Sequence, residues 1–227
     1  MRAKSVSSIT VKDRLAAGAE RELALSYAPR ECRAGLAALL ALDDRLAGIL
    51  RSSREPMLGQ MRLTWWAEAL AELDRGPPPS EPVLAALAAE VLPRGVPGAR
   101  LAGMVDAWEA VLLDDALGDD SLELFGRRRG GLLFSAAALL LGASDPQIDM
   151  AGEGWALADL AANLSVPVSA ARARSMAGAR IAAAMGQRWS RAGRALGAMT
   201  LLARADLNGV AGPRRVGRLL VHRLTGR

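Results

Sequence analysis

The chain is poor in the residues on which many catalytic sites depend. Its 227 residues include one cysteine, Cys32, and one histidine, His222. One cysteine excludes a disulfide framework and a thiolate zinc cluster, and one histidine argues against a multi-histidine metal site or a hydrolytic triad. Aromatic residues make up only 4%, and Trp189 is the only one after Pro167. Aromatic platforms on which single-stranded bases could stack are therefore missing. The sequence also shows no zinc-finger or helix-turn-helix signature, so we expect no nucleic-acid partner.

The chain also lacks a long uncharged run. The longest extends for 15 residues, from Gly130 to Ser144, whereas a helix needs about 20 apolar residues to cross a bilayer. Residues 1–14 contain no apolar signal-peptide segment. We therefore expect a cytoplasmic protein, with peripheral contact to the inner face of a membrane as the alternative.

Strand patterns are missing as well, and helical patterns fill the chain. Between Gly- and Pro-rich breaks, apolar residues recur at helical spacing, as Leu36, Leu39, Leu40 and Leu46 do. A chain of this length can bury a core without a metal or disulfide. The sequence predicts one all-α domain over residues 1–227, with its core at about residues 20–207 and a basic C-terminal tail at 208–227.

Charge is distributed unevenly along the chain. Up to Pro167 there are 17 basic and 23 acidic residues, whereas the remainder has 12 arginines and a single acid, Asp206. Such asymmetry favours an anionic membrane surface or an acidic protein as partner, although a solvated helix face is the alternative. The arginines that we expect to form this surface are Arg172, Arg180, Arg188 and Arg191.

The most distinctive motif is EPMLGQMRLTWW, from Glu55 to Trp66. Its proline suits the first turn of a helix, and helical neighbours lie about 100° apart, so we expect only one of Trp65 and Trp66 in the core. Arg62 is placed to lie along the Trp66 ring or to reach an acid. The motif either specifies helix packing alone or contributes Arg62, Trp65 and Trp66 to a binding site.

With the preceding segment CRAGLAALLAL (Cys32–Leu42), this motif resembles the start of the squalene/phytoene synthase family. The subgroup that it most resembles is the phytoene-synthase-like type that includes the complex I assembly factor. Weaker similarity extends from about Glu20 to Asp206, through RRRGG (Arg127–Gly131) and GWALA (Gly154–Ala158). The resemblance implies a helical bundle of the isoprenoid synthase type.

Active members of the family condense two prenyl diphosphates head to head and hold them through Mg²⁺ on two aspartate-rich motifs. The resemblance places the acids of the first motif at Ala47 and Arg51, neither of which can bind Mg²⁺, and those of the second at about Asn163 and Pro167, so that both carboxylate pairs are missing. It therefore implies no catalytic residue, no metal ligand and no cofactor. Mg²⁺ would be needed only by an enzyme that uses relocated acids.

Other acids offer little compensation. Asp43 and Asp44 diverge on a helix, and we expect both to be exposed, solubilising charges rather than metal ligands. A second acidic group is expected to be a solvated turn rather than a weak divalent-ion site, and it comprises Asp114, Asp115, Asp119 and Asp120.

Three consecutive arginines precede two glycines at Arg127, Arg128 and Arg129. They form either an anion cradle, assisted by the glycine amides and the next helix, or a plain exposed basic turn.

The function expected from these features is that of a non-catalytic, membrane-associated binding or assembly factor, similar to those of respiratory complex I. The alternatives are a prenyl diphosphate-condensing transferase and a prenyl-lipid binder without turnover.

Overall fold

The protein is built from helices. The computed structural model describes residues 11–53, 55–113, 117–210 and 212–227, apart from the side chains of residues 11–17 and 113, and within these ranges it contains no β-strand. This confirms the predicted all-α fold. In chain order the α-helices are α1 (Val11–Leu25), α2 (Arg30–Ser52), α3 (Pro56–Glu72), α4 (Pro82–Glu90), α5 (Gly98–Ala102), α6 (Val105–Leu113), α7 (Asp119–Phe125), α8 (Leu132–Leu141), α9 (Ile148–Asn163), α10 (Pro167–Met185), α11 (Arg194–Leu207) and α12 (Pro213–Thr225). A 3₁₀ turn (Leu92–Arg94) follows α4, and a π-helical segment (Gly126–Gly131) joins α7 to α8.

Prolines begin four of these helices. Pro56, Pro82, Pro167 and Pro213 stand in the first turns of α3, α4, α10 and α12. Proline is tolerated there because the first N–H groups of a helix have no partner inside it, and its fixed φ suits the helix. The start of α3 therefore follows from the sequence motif itself.

Helix α9 occupies a central position, in contact with α8, α10, α11 and the π-helical segment. Gly130 and Gly152 allow the closest of these approaches, because a Cβ atom on either one would overlap the carbonyl oxygen of the other. This backbone contact holds the neighbouring Arg129 beside α9.

Helix α2 packs against α3, α4, α6 and α8. Its buried stripe contains Leu36, Leu39, Leu46 and, on the same face, Asp43. A charged residue on a buried stripe needs a partner, and the partner comes from the π-helical segment.

Candidate functional site

The π-helical segment directs one of its three arginines into the protein. Arg127 and Arg128 are exposed and lie 3.7 Å from Glu123 and 3.6 Å from Asp106, whereas the side chain of Arg129 is only 4% exposed. The segment continues directly from α7 into α8. It is therefore helical, whereas the sequence analysis expected either an anion cradle or an exposed basic turn. π-helical insertions of this kind often accompany functional sites.

Arg129 joins two carboxylates from facing helices. Its Nε and Nη2 atoms donate to Oδ1 and Oδ2 of Asp43 in α2, at 2.7 and 2.8 Å. Its Nη1 atom donates to Oδ2 of Asp159 in α9, at 2.6 Å. The two hydrogen bonds to Asp43 form a bidentate pair, which arginine can make with a carboxylate and lysine cannot. This triad links α2, the π-helical segment and α9.

Three aromatic rings surround the same guanidinium. The Arg129 Cζ atom lies 4.5 Å from the ring centroid of Trp108, 4.9 Å from that of Trp155 and 5.4 Å from that of Phe125. Aromatic faces attract cations, and the attraction increases where water is excluded. The charge of Arg129 is thus satisfied by two carboxylates and by the rings.

Arg129 keeps its positive charge despite burial. Burial by itself lowers the pKa of the Arg129 guanidinium, but Asp43 and Asp159 outweigh this effect and raise that pKa above its ordinary value. Arg129 therefore remains a fixed internal cation at any physiological pH.

The expectation that Asp43 is an exposed solubilising charge is wrong. Asp43 is 3% exposed because it continues the buried stripe of α2, where Arg129 compensates its charge. Its neighbour Asp44 points outward as expected and pairs with Arg21 at 2.8 Å. Asp114 and Asp115 of the second acidic group lie outside the described residues, and Asp119 and Asp120 are exposed in the first turn of α7.

A cavity of about 370 Å³ opens beside the triad. Its lining combines apolar groups such as Trp155 and Met199 with four carboxylates, which are those of Asp43, Asp44, Asp159 and Asp206. Each of these carboxylates is already paired with an arginine of the chain. Arg129 pairs with Asp43 and Asp159. Arg21 pairs with Asp44, and Arg215 pairs with Asp206 at 2.6 Å.

The carboxylates of this cavity do not fit a Mg²⁺ site. Mg²⁺ needs carboxylate oxygens that are free to replace part of its water shell, whereas Arg129 occupies the space between the two facing carboxylates. Ala47 is buried one turn after Asp43, and the amide nitrogen of Asn163 donates to the backbone and side chain of Asp159. Within the described ranges, no group of three or more metal-binding side chains is present.

The EPMLGQMRLTWW motif forms the wall of a second, larger groove of about 800 Å³. As predicted, only one tryptophan is in the core: Trp66 is 4% exposed and Trp65 is 44% exposed, and their rings meet edge to face. Arg62 lines this groove with both tryptophans. It does not lie along the Trp66 ring, because its Nη1 atom donates to Ser52 Oγ at 3.1 Å and the cation above Trp66 is Arg45.

The arginines of the basic C-terminal region, residues 168–227, are not all free of partners. Arg180 is largely buried between Glu123 and Glu153, at 2.6 and 2.7 Å, so it stabilises the contact of α10 with α7 and α9. The other three arginines of the expected surface are exposed: Arg172 is 3.8 Å from Asp119, Arg188 donates to the Thr225 carbonyl, and Arg191 is exposed as well.

The sequence analysis missed Asp159 and the rings of Trp108, Phe125 and Trp155, which together complete the environment of Arg129. One signal was present, since Asp43 falls at helical spacing on an otherwise apolar stripe. No comparable signal identifies its partner, because Arg129 follows 86 residues later.

Among the helices that the structure describes, none combines the length and apolar content needed to cross a bilayer.

Comparison with known proteins identifies the family of this chain. Neither the curated proteins nor the solved structures include a match to this chain. The family model of squalene/phytoene synthase matches residues 16–205, which include the motif of α3, the π-helical segment and α9. The chain belongs to the squalene/phytoene synthase family.

Proposed function

We propose that this chain is a non-catalytic member of its family, which acts through binding as a membrane-associated assembly factor of the kind that serves respiratory complex I. The observation that supports this proposal is the pairing of carboxylates at the 370 Å³ cavity. Asp43, Asp44, Asp159 and Asp206 each have an arginine partner within the chain.

The chemistry of the family explains why this pairing matters. Prenyl diphosphate condensation begins when a diphosphate leaves, and metal ions must neutralise the charge that develops on it. An arginine held between two carboxylates neutralises those carboxylates instead of recruiting metal. In this proposal the residues beside the cavity have a structural role, because Arg129 connects Asp43 of α2 to Asp159 of α9.

Pyrophosphate release tests the proposal. The purified protein with Mg²⁺ and farnesyl or geranylgeranyl diphosphate is expected to release no pyrophosphate above a blank, while a phytoene synthase with both aspartate-rich motifs serves as positive control. Metal-dependent release that Asp159→Asn abolishes and Asp44→Asn preserves would overturn the proposal and establish the transferase. Both carboxylates are about half exposed, so both variants should fold.

The face of α3 supports the binding role. Met57, Leu58, Met61 and Trp65 are between 44% and 73% exposed, and three of them line the 800 Å³ groove. Contiguous apolar surface of this kind is typical of interaction sites.

Affinity capture from native membranes tests this surface. It is expected to recover subunits of a respiratory complex with the parent protein and to lose them with the Met61→Glu variant. Met150→Glu, at a methionine that is 41% exposed elsewhere, is the matched control.

The same groove favours a second candidate, a prenyl-lipid binder without turnover, because its apolar wall suits a prenyl chain. If that candidate is correct, titration with geranylgeraniol should change the tryptophan fluorescence of the parent and leave that of Trp65→Phe nearly constant. An unchanged parent spectrum would eliminate this candidate.

A further inference from the structure

Helix α12 has an apolar face that points away from the rest of the protein. Leu219 and His222 are buried against the body, whereas Val216, Leu220 and Leu224 are 39%, 47% and 78% exposed. Their spacing of four residues forms a stripe along one side of the helix, and with the 56% exposed Val221 they span an arc of about 140°. The inward residues lie on the opposite side.

The body holds α12 firmly through its inward side. The backbone N–H of Trp189 donates to the Gly226 carbonyl at 2.8 Å. The Nε2 atom of His222 lies 3.1 Å from the Arg194 carbonyl oxygen. Arg215 pairs with Glu20 at 2.9 Å and with Asp206 at 2.6 Å. The outward stripe is therefore presented on an anchored helix.

A groove of about 470 Å³ lies next to this stripe, between α11 and α12. Its lining includes no aspartate or glutamate but four arginines, namely Arg204, Arg214, Arg218 and Arg227. None of the four has an ion-pair partner in the part of the chain that the structure describes, in contrast to Arg180 and Arg215. Burial, together with the charge of Arg218, lowers the pKa of the Arg204 guanidinium, as expected where cations gather without a counterion.

We propose that α12 docks this protein on an anionic phospholipid membrane. Val216, Leu220 and Leu224 enter the boundary between headgroups and acyl chains, and the four-arginine groove takes lipid phosphates. An apolar stripe bordered by arginines is the pattern of helices that lie in the plane of a membrane surface, where apolar burial and attraction to anionic lipid act together. Arginine also matches phosphate geometry better than lysine does.

This inference rests on the proposed function, whose membrane association it locates, and it differs from the surface expected from the sequence. Arg180 contributes to the fold, and in α10, which carries Arg172, Val168 is the single strongly exposed large apolar residue. The two surfaces can therefore be separated by experiment.

Vesicle sedimentation of the full chain provides the test. We expect binding to vesicles that contain phosphatidylglycerol and none to pure phosphatidylcholine, with release as salt rises because the Debye length shortens. Arg214→Gln/Arg218→Gln should weaken binding roughly 30-fold, at about fivefold for each arginine. Leu220→Ser/Leu224→Ser should bind weakly and dissociate at lower salt than the parent. Arg172→Gln/Arg191→Gln has the same change of charge and should bind within about twofold of the parent.

The outcomes separate the two proposals. Equal weakening by the Arg172/Arg191 pair would overturn docking through α12 and leave membrane association in place. No binding of the parent to either vesicle would overturn membrane association, while the pyrophosphate assay would still decide catalysis. Release by millimolar inorganic phosphate, without an effect of Leu220→Ser/Leu224→Ser, would show a free-phosphate pocket and contradict docking. Binding to an acidic protein in preference to vesicles would also contradict it.

A second readout measures insertion directly. Cys32 is buried, so an environment-sensitive fluorophore can be attached at Leu224→Cys, a position that is 78% exposed. Anionic vesicles should shift its emission to the blue, and neutral vesicles should not. A probe at Ser80→Cys, exposed in the loop before α4, is the control and should remain unshifted. An unshifted probe at Leu224→Cys would contradict insertion.

Discussion

Replacing Arg129 by methionine should strongly destabilise the protein. The substitution leaves the Asp43 carboxylate, whose side chain is 5% exposed, without its two hydrogen bonds and without a counterion. Removing one partner of a buried ion pair costs about 3–5 kcal/mol, because the remaining charge is uncompensated. For a chain of 227 residues this corresponds to a decrease of Tm of roughly 6–20 °C, at about 2–4 °C per kcal/mol.

A double variant shows whether the cost arises from the unpaired carboxylate. Arg129→Met with Asp43→Leu replaces the pair by apolar groups, and such replacements are often close to neutral. Asp159 is 47% exposed, so water can solvate its carboxylate once the arginine is gone. The double variant should therefore be more stable than Arg129→Met alone, which is a strongly non-additive result.

Urea unfolding at pH 7, followed by circular dichroism, measures these differences. The matched control is Asp44→Asn, which removes the exposed partner of Arg21 and should cost no more than about 1 kcal/mol. If Arg129→Met is as mild as this control, or if the double variant equals the sum of its single variants, the reasoning about the buried triad is refuted.

Three further predictions concern packing and pH. Gly130→Ala should destabilise the protein by several kcal/mol in urea unfolding, because the new methyl group overlaps the Gly152 backbone; a change below 0.5 kcal/mol would contradict the close approach. Trp66→Ala should cost about 3–5 kcal/mol and Trp65→Ala clearly less, since only the first ring is buried; equal losses would refute the assignment. Burial lowers the pKa of His222 below 6.5, so the unfolded chain binds more protons in mild acid, and stability should decrease from pH 7 to pH 5. His222→Gln should show a weaker decrease over that range, and an identical pH profile would exclude His222 as its source.

The sequence by itself determined the architecture and the position of its best-defined helix. Helical periodicity without strand patterns predicts an all-α fold because it depends only on neighbouring residues. The proline of EPMLGQMRLTWW sets the start of α3, and the angular separation of helical neighbours places Trp65 and Trp66 on different sides. These features are local, so they can be predicted without knowledge of the tertiary structure.

Only the tertiary structure decided which charges are buried and what they bind. Asp43 and Asp44 are chemically identical neighbours, yet one is buried against Arg129 and the other is exposed beside Arg21. Helical geometry predicts that the two side chains point in different directions. Which of the two is buried depends on partners that are distant in sequence. Arg129 is 86 residues from Asp43 and 30 from Asp159, and the burial of its cation in the core depends on having both carboxylates within hydrogen-bond reach.

The basic C-terminal region, residues 168–227, likewise shows that the sequence does not reveal which charges are paired. Its excess of arginine is visible in the sequence, but all twelve arginines look alike there. Folding places Arg180 between two glutamates and leaves the arginines of the α11–α12 groove without carboxylates. A charge acts on a partner only when acids elsewhere in the fold do not neutralise it first, and that pairing is settled by the packing of helices rather than by composition.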